Sequence, residues 1–428
     1  MLIENFIGRY LNWYNSRNLI FERSFNIHSP EPEKEKKPLL YIHIPFCEEL
    51  CPYCSFNRFK FESKVAHKYF KYLKKEIEIY KDKGFDFFSS YIGGGTPTIL
   101  IEELAEIINF IRENFSIKEV SCETNPNHLT EHNISILKQC GVDRLSVGVQ
   151  SFDNNLLKLM QRYHKYGSGE EIEERLKNTI GHFKTLNIDM IFNFPTQKKE
   201  HVIRDCEIIK RLNADQVTFY PLMASNSTQK IICEKFGKLS YYNEKLLYFE
   251  ILNQLKGSYT PGTAWCFNKK KSMIDEYIID YDEYLGSGSG SFGYYNGRIL
   301  SNTFSISEYF QMIDKGKLPL RAEKKFTELE QMKYDFLIKL FGINLSKEFI
   351  EKKYNKRFYK KLFKEILFFK FIGALKEDEK CFYLTEKGQY FWVIMMREFF
   401  IGVNNFRDYC RSLIKDEKNE HLSKFAKS

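Results

Sequence analysis

Cys47, Cys51 and Cys54 fall within the eight residues Cys-Glu-Glu-Leu-Cys-Pro-Tyr-Cys, directly after an apolar run. Thiolates gathered this closely are soft ligands, suited to zinc or to an iron–sulfur cluster. A structural zinc site takes four protein ligands, and no fourth cysteine stands nearby. Three thiolates leave one iron of a 4Fe–4S cluster open to an exogenous ligand. A zinc site completed by a distant histidine such as His43 is the competing reading. Inside the run Tyr-Ile-His-Ile-Pro, however, His43 reads more readily as a hydrogen-bonding neighbour.

A second signal is Tyr91-Ile-Gly93-Gly94-Gly95-Thr96-Pro97-Thr98. Glycines permit close backbone approach and positive φ, and Pro97 fixes the turn. The pattern of a phosphate P-loop is missing. Further polar groups follow at regular intervals: Glu123 in Glu-Thr-Asn-Pro, Gln150 in Gln-Ser-Phe-Asp153, then Arg162 and Asp189. Singly, each reads as a helix cap or a solvated residue. Together, at successive strand ends of one sheet, they read as the lining for an amino-acid-bearing cofactor.

Strands and helices must alternate to place them so. Short β-rich runs fall at Leu39–Ile44, Ser89–Ile92, Glu119–Glu123, Arg144–Val149, Ile188–Phe192 and Gln216–Tyr220. Helical patterns fall between them near Val65–Lys81, Ile101–Asn114, Asn133–Cys140, Glu170–Leu186 and His201–Leu212. This alternation predicts parallel βα units with right-handed crossovers. Six units are too few for an eight-stranded barrel, so the expected fold class is α/β, an open partial (β/α)6 barrel with function at the C-terminal strand ends. Residues 1–37 read as an N-terminal helical arm and linker, 38–320 as the core with its extension, and 321–428 as a C-terminal helical, winged-helix-like domain. The arm combines Phe6, Tyr10, Trp13 and Tyr14 with Arg9 and Arg17, which reads either as an arm that packs on the core or as a lid that stacks on a flat anionic substrate.

The 428 residues carry 43% apolar and 28% charged side chains, the balance of a folded, soluble protein. A net charge of +9 over this length, with no basic recognition helix, argues against nucleic acid and suits an anionic small substrate. No apolar run reaches the ~18 residues of a membrane span. The start lacks the features of a signal peptide, and most of the ten cysteines are scattered singly, so a reducing cytoplasm is expected.

The runs YIHIPFCEELCPYC, YIGGGTPT, ETNPNHLT, GVDRLSVGVQSFD and NIDMIFNFP resemble the radical S-adenosylmethionine superfamily, in particular oxygen-independent coproporphyrinogen III oxidases and the haem chaperones related to them. The resemblance implies that Cys47, Cys51 and Cys54 hold a 4Fe–4S cluster whose open iron chelates S-adenosylmethionine. One electron from a flavodoxin- or ferredoxin-type donor would then release a 5′-deoxyadenosyl radical. It places Tyr41, Gly94 and Glu123 against that S-adenosylmethionine and Tyr53 beside the cluster. Gly95, Thr96, Gln150, Arg162 and Asp189 match contacts to a second S-adenosylmethionine in decarboxylating relatives. The implied activity is that of an oxidoreductase of porphyrin biosynthesis acting on a tetrapyrrole. The alternatives are a haem chaperone without turnover and a haem-degrading methyltransferase. Ser55-Phe56 stands where the decarboxylases carry a further cysteine, and Phe there resembles the chaperones and the haem-degrading enzymes.

Overall fold

A computed structural model describes residues 2–18, 20–24, 27–270, 279 and 281–414; the end of the expected C-terminal domain thus lies outside the described residues. The six expected strands are present, labelled here β1 (Leu39–Ile44), β2 (Ser89–Gly94), β3 (Glu119–Thr124), β4 (Arg144–Gln150), β5 (Thr185–Phe192) and β6 (Gln216–Pro221). They lie side by side in chain order, every pair parallel. All six residues of β1 are buried, as expected of a parallel strand covered on both faces. Helices Ser63–Asp82, Ile101–Asn114, Glu131–Gln139, Gly169–Thr179 and Lys199–Leu212 occupy the crossovers. Their starts are written locally. Thr130 accepts from the Asn133 amide and Ser168 forms a capping box with Glu171; the short helix Asn154–Leu159 after β4 is likewise capped, by Asp153 accepting from the Asn155 and Leu156 amides.

The sheet runs beyond six strands. On the β1 side, Tyr284–Ser287 adds a further parallel strand, followed by three antiparallel ones and Glu22–Arg23; on the β6 side, Cys266–Asn268 and Thr260–Pro261 pair antiparallel. The helix expected over Glu170–Leu186 stops at Thr179, because Thr185 already pairs with Arg144 of β4. C-terminal to the sheet lie helices Glu328–Phe341, Lys347–Tyr354, Arg357–Lys361 and Phe363–Phe371, a three-stranded antiparallel sheet, and the long helix Glu386–Ser412.

The N-terminal helix, Leu2–Asn18, lies on that long helix. Ile7 is buried, Asn15 donates to the Glu398 carbonyl at 3.1 Å, and Glu4 pairs with Lys245. This docking uses the Ile7 side, so Phe6, Tyr10 and Trp13 turn outward and stand 62%, 46% and 49% exposed. The expected lid over a substrate is therefore corrected: these aromatics form an outer stripe, with Arg17 4.8 Å over the Trp13 ring.

Candidate functional site

The C-terminal ends of β1–β6 open into one cleft of about 340 Å³. Cys47, Cys51, Cys54 and Tyr53 line it from the loop after β1, Gly94 and Gly95 from β2, Glu123 from β3, Gln150 from β4 and Asp189 from β5. Tyr41 and Arg162 complete the expected set on its wall. Thr96 is buried just behind, its Oγ accepting from Asn125 at 2.8 Å. Asp189 lies mid-strand rather than at the opening of β5, because that strand begins at Thr185. At Gln150 the pairing of β4 with β5 slips, and its φ of 77° turns the chain out of the sheet.

The glycine turn is shaped by the protein itself. Gly94 has φ +118°, and a Cβ there would meet the His43 ring at 2.7 Å. A Cβ on Gly95 would stand 2.5 Å from the Phe46 carbonyl oxygen. The turn must therefore hug the segment that carries Cys47.

Cations gather on the Cys51 sulfur, although one of them, Lys165, also pairs with Glu49 at 3.6 Å. Arg162 Nη1 is 3.7 Å and Lys165 Nζ 3.8 Å from Cys51 Sγ. Burial alone would push the Cys51 thiol up, but Arg162, Lys165 and Arg58 outweigh it and hold the thiol below its ordinary value. Cys47 lacks such close help; burial, then the Cys54 sulfur, push it up to about 12. Arg58, fully inside, donates from Nη2 to the Cys51 and Cys54 carbonyls at 2.7 Å each, while its Nε and Nη1 have no partner. A buried guanidinium with idle donors among three thiols is a counter-charge for a thiolate-bound group. Sequence reading missed Arg58; a cation four residues past the third cysteine was the available signal.

His43 uses both ring nitrogens, with Tyr41 Oη at 2.9 Å from Nδ1 and the Asn57 carbonyl at 2.8 Å from Nε2. Burial lowers its pKa to about 4. The zinc reading that enlists His43 is thereby overturned. Among the described residues no three His, Cys, Asp or Glu side chains converge on a single point as ion ligands. Thiolates that anchor separate irons of a cluster are not required to do so.

Two buried carboxyl groups line the cleft, one from β3 and one from β5. Glu123 accepts from Tyr91 Oη at 2.9 Å and from the Gly94 amide at 3.1 Å. Burial, then repulsion from Asp189, push its pKa up to about 7. Asp189 accepts from Ser146 at 2.7 Å and Asn187 at 2.8 Å, and burial pushes it up to about 6. Arg162 does not stand idle: it donates to the Gly148 carbonyl and to Asn125, and lies 4.1 Å over the Tyr166 ring, with its Nε unpartnered.

The far wall was not legible as part of a site. Phe399, Phe400, Val403, Asn404 and Arg407 come from the last helix. Arg407 lies 5.1 Å over the Phe56 ring and 5.2 Å over Phe292. From the N-terminal segment the cleft receives Phe21, stacked on Phe406 at 4.0 Å.

The model of the radical SAM superfamily matches residues 41–209. The chain is 30% identical over 366 residues to the heme chaperone HemW of Bacillus subtilis, covering 82% of this chain and 95% of that protein. It is 26% identical over 388 residues to an oxygen-independent coproporphyrinogen III oxidase of Helicobacter pylori, covering 83% and 84%. Coproporphyrinogen III oxidase (HemN) from Escherichia coli shares the fold with a TM-score of 0.73 at 23% identity, over 89% of this chain and 95% of that one.

Proposed function

The chain belongs to the radical S-adenosylmethionine superfamily, in the family that holds haem chaperones and oxygen-independent coproporphyrinogen III oxidases, and on that premise we propose that it is a radical enzyme of tetrapyrrole metabolism, coproporphyrinogen III oxidase-like. The observation that carries this reading is the single cleft shared by three cysteines, two carboxyl groups, Arg162 and an aromatic wall. The residues fit a 4Fe–4S cluster: the donors are soft thiols, and Arg58, Arg162 and Lys165 offset their charge. They fit S-adenosylmethionine as well, because its ammonium and sulfonium suit the paired Glu123 and Asp189.

In this reading Cys47, Cys51 and Cys54 hold the cluster, with Tyr53 packed beside it. When bound, the cluster supplies one electron, taken from a flavodoxin- or ferredoxin-type donor, for reductive cleavage of S-adenosylmethionine. Tyr91 and the Gly94 amide fix the Glu123 carboxylate, which accepts from the ammonium beside Tyr41 and Gly94. Arg162 pairs with a carboxylate, and Gly95, Thr96, Gln150 and Asp189 bound the space for a second S-adenosylmethionine. The rings of Phe292, Phe399 and Phe400 give a flat apolar face to the tetrapyrrole, and Arg407 faces its propionates. The enclosed wall keeps water from a reactive radical. The reducing cytoplasm suits such a centre.

A second reading, a haem chaperone without turnover, is favoured by Phe56, which is 47% exposed beneath Arg407 where decarboxylases would carry a cysteine. Anaerobic reconstitution followed by parallel assays separates the two. Turnover of coproporphyrinogen III supports the enzyme, whereas stoichiometric retention of haem with S-adenosylmethionine intact supports the chaperone.

A further inference from the structure

Helix Phe363–Phe371 turns an apolar face to solvent. Phe363, Leu367 and Phe371 recur every four residues and stand 62%, 53% and 88% exposed, while Ile366 and Phe369 hold the opposite face in the core. The fold therefore does not need the outer stripe, and nothing among the described residues covers it. Beside it the chain is basic. Lys360, Lys361 and Lys364 are exposed within three residues of Phe363, and Lys356 lies one helical stretch earlier. Unlike Arg357 and Lys370, which pair with Glu328 and Glu377, these four lysines carry no ion pair among the described residues.

The surrounding order is helix, strand, helices, helix and hairpin, as in a winged helix, with Phe363–Phe371 where a nucleic-acid-reading helix would stand. A reading helix offers polar and cationic side chains to base edges and phosphates. Two phenylalanines and a leucine do neither. A self-associating face would gain from the apolar stripe but would bring the four unpaired lysines of one copy towards those of the other. Apolar tips inside a cationic fringe match the interface of an anionic bilayer. There the rings and the leucine enter the acyl boundary while the ammonium groups stay among the headgroups.

We propose that the Phe363–Phe371 stripe and its lysine fringe dock the protein peripherally on an anionic lipid surface. No helix among the described residues is long and apolar enough to cross a membrane. The test is co-sedimentation of the full-length protein with phosphatidylglycerol-rich vesicles and with phosphatidylcholine vesicles. Binding to the anionic vesicles should be about tenfold or more the stronger, and it should weaken with salt. Leu367→Glu with Phe371→Glu should lower it by about tenfold or more at unchanged thermal melting. Should that pair fail to fold, Phe371→Ser alone, at the most exposed position of the stripe, and Lys360→Glu with Lys361→Glu carry the same expectation. Equal binding to both vesicle types, or anionic binding that survives these variants, would overturn the proposal. So would concentration-dependent self-association that Phe371→Glu abolishes in a protein that binds no vesicles.

Discussion

Glu123 shows how a binding site and a stable fold oppose each other. Its folded pKa, about 7, lies above the ordinary 4.5 because of burial and the facing Asp189. Its contribution to stability is therefore full below about 4.5 and is lost as pH rises through 7. The Glu123→Gln protein, free of cofactor at pH 8, should be more stable than wild type by about 1–3 kcal/mol in urea denaturation. The same variant should bind S-adenosylmethionine more weakly, since it removes the charge that meets the ammonium. Wild-type binding should strengthen as pH rises from 5.5 to 8, because Glu123 and Asp189 ionise across that range while Arg144, close to both, stays charged. Equal affinity of wild type and variant by equilibrium dialysis would separate Glu123 from the ligand. The cysteines divide just as sharply. Cys47→Ala, Cys51→Ala and Cys54→Ala should each abolish the brown chromophore. Cys122, Cys140 and Cys206 are buried in the apolar core, and their alanine variants should keep the chromophore at a cost of about 1 kcal/mol each. Iron content and visible absorption after anaerobic reconstitution check both sets.

At the scale of elements, the glycine turn after β2 and the last helix do what isolated motifs cannot. The Gly95 amide donates to Ile44 at 2.8 Å and the Thr96 amide to Phe46 at 2.7 Å, so the turn is clamped to the residues just before Cys47. Gly95→Ala would press a methyl group on the Phe46 carbonyl. It should cost about 1–3 kcal/mol and lower iron content as well as S-adenosylmethionine affinity. Normal iron in that variant would show the turn to be independent of the cysteine loop. Arg407→Ala should leave iron content unchanged and weaken porphyrin binding by roughly tenfold, the loss of one partly buried charged hydrogen bond; a fluorescence-quenching titration reads it. The six strands were legible because buried parallel strands are short apolar runs between turn signals. The end of helix Gly169–Thr179 was not, because the apolar spacing through Phe183 and Leu186 continues a helical pattern into a strand. The cleft wall from Phe399 to Arg407 was illegible for a different reason. Helical periodicity marks a buried face but not what that face is buried against, and the partner strands lie hundreds of residues upstream.

Across the whole molecule, the chain folds back so that the first and last described helices, Leu2–Asn18 and Glu386–Ser412, pack together and the latter lines the cleft opened by the βα units. The exposed aromatics of Leu2–Asn18 read from the sequence as a lid serve elsewhere, since the Ile7 face is the one that docks, and from the N-terminal segment Phe21 reaches the cleft. On the proposed reading, the open partial barrel gives the cofactor side of the site, and the last described helix with Phe292 gives the tetrapyrrole side. On the proposed reading the cluster, S-adenosylmethionine and the tetrapyrrole meet in this one cleft and the outcome is turnover. Its most direct test is release of 5′-deoxyadenosine by the anaerobically reconstituted, reduced protein, measured with and without coproporphyrinogen III. Release should depend on the tetrapyrrole, continue beyond one equivalent, and be lost in Cys51→Ala. Release indifferent to the tetrapyrrole, or haem held at one equivalent with S-adenosylmethionine intact, would contradict this reading.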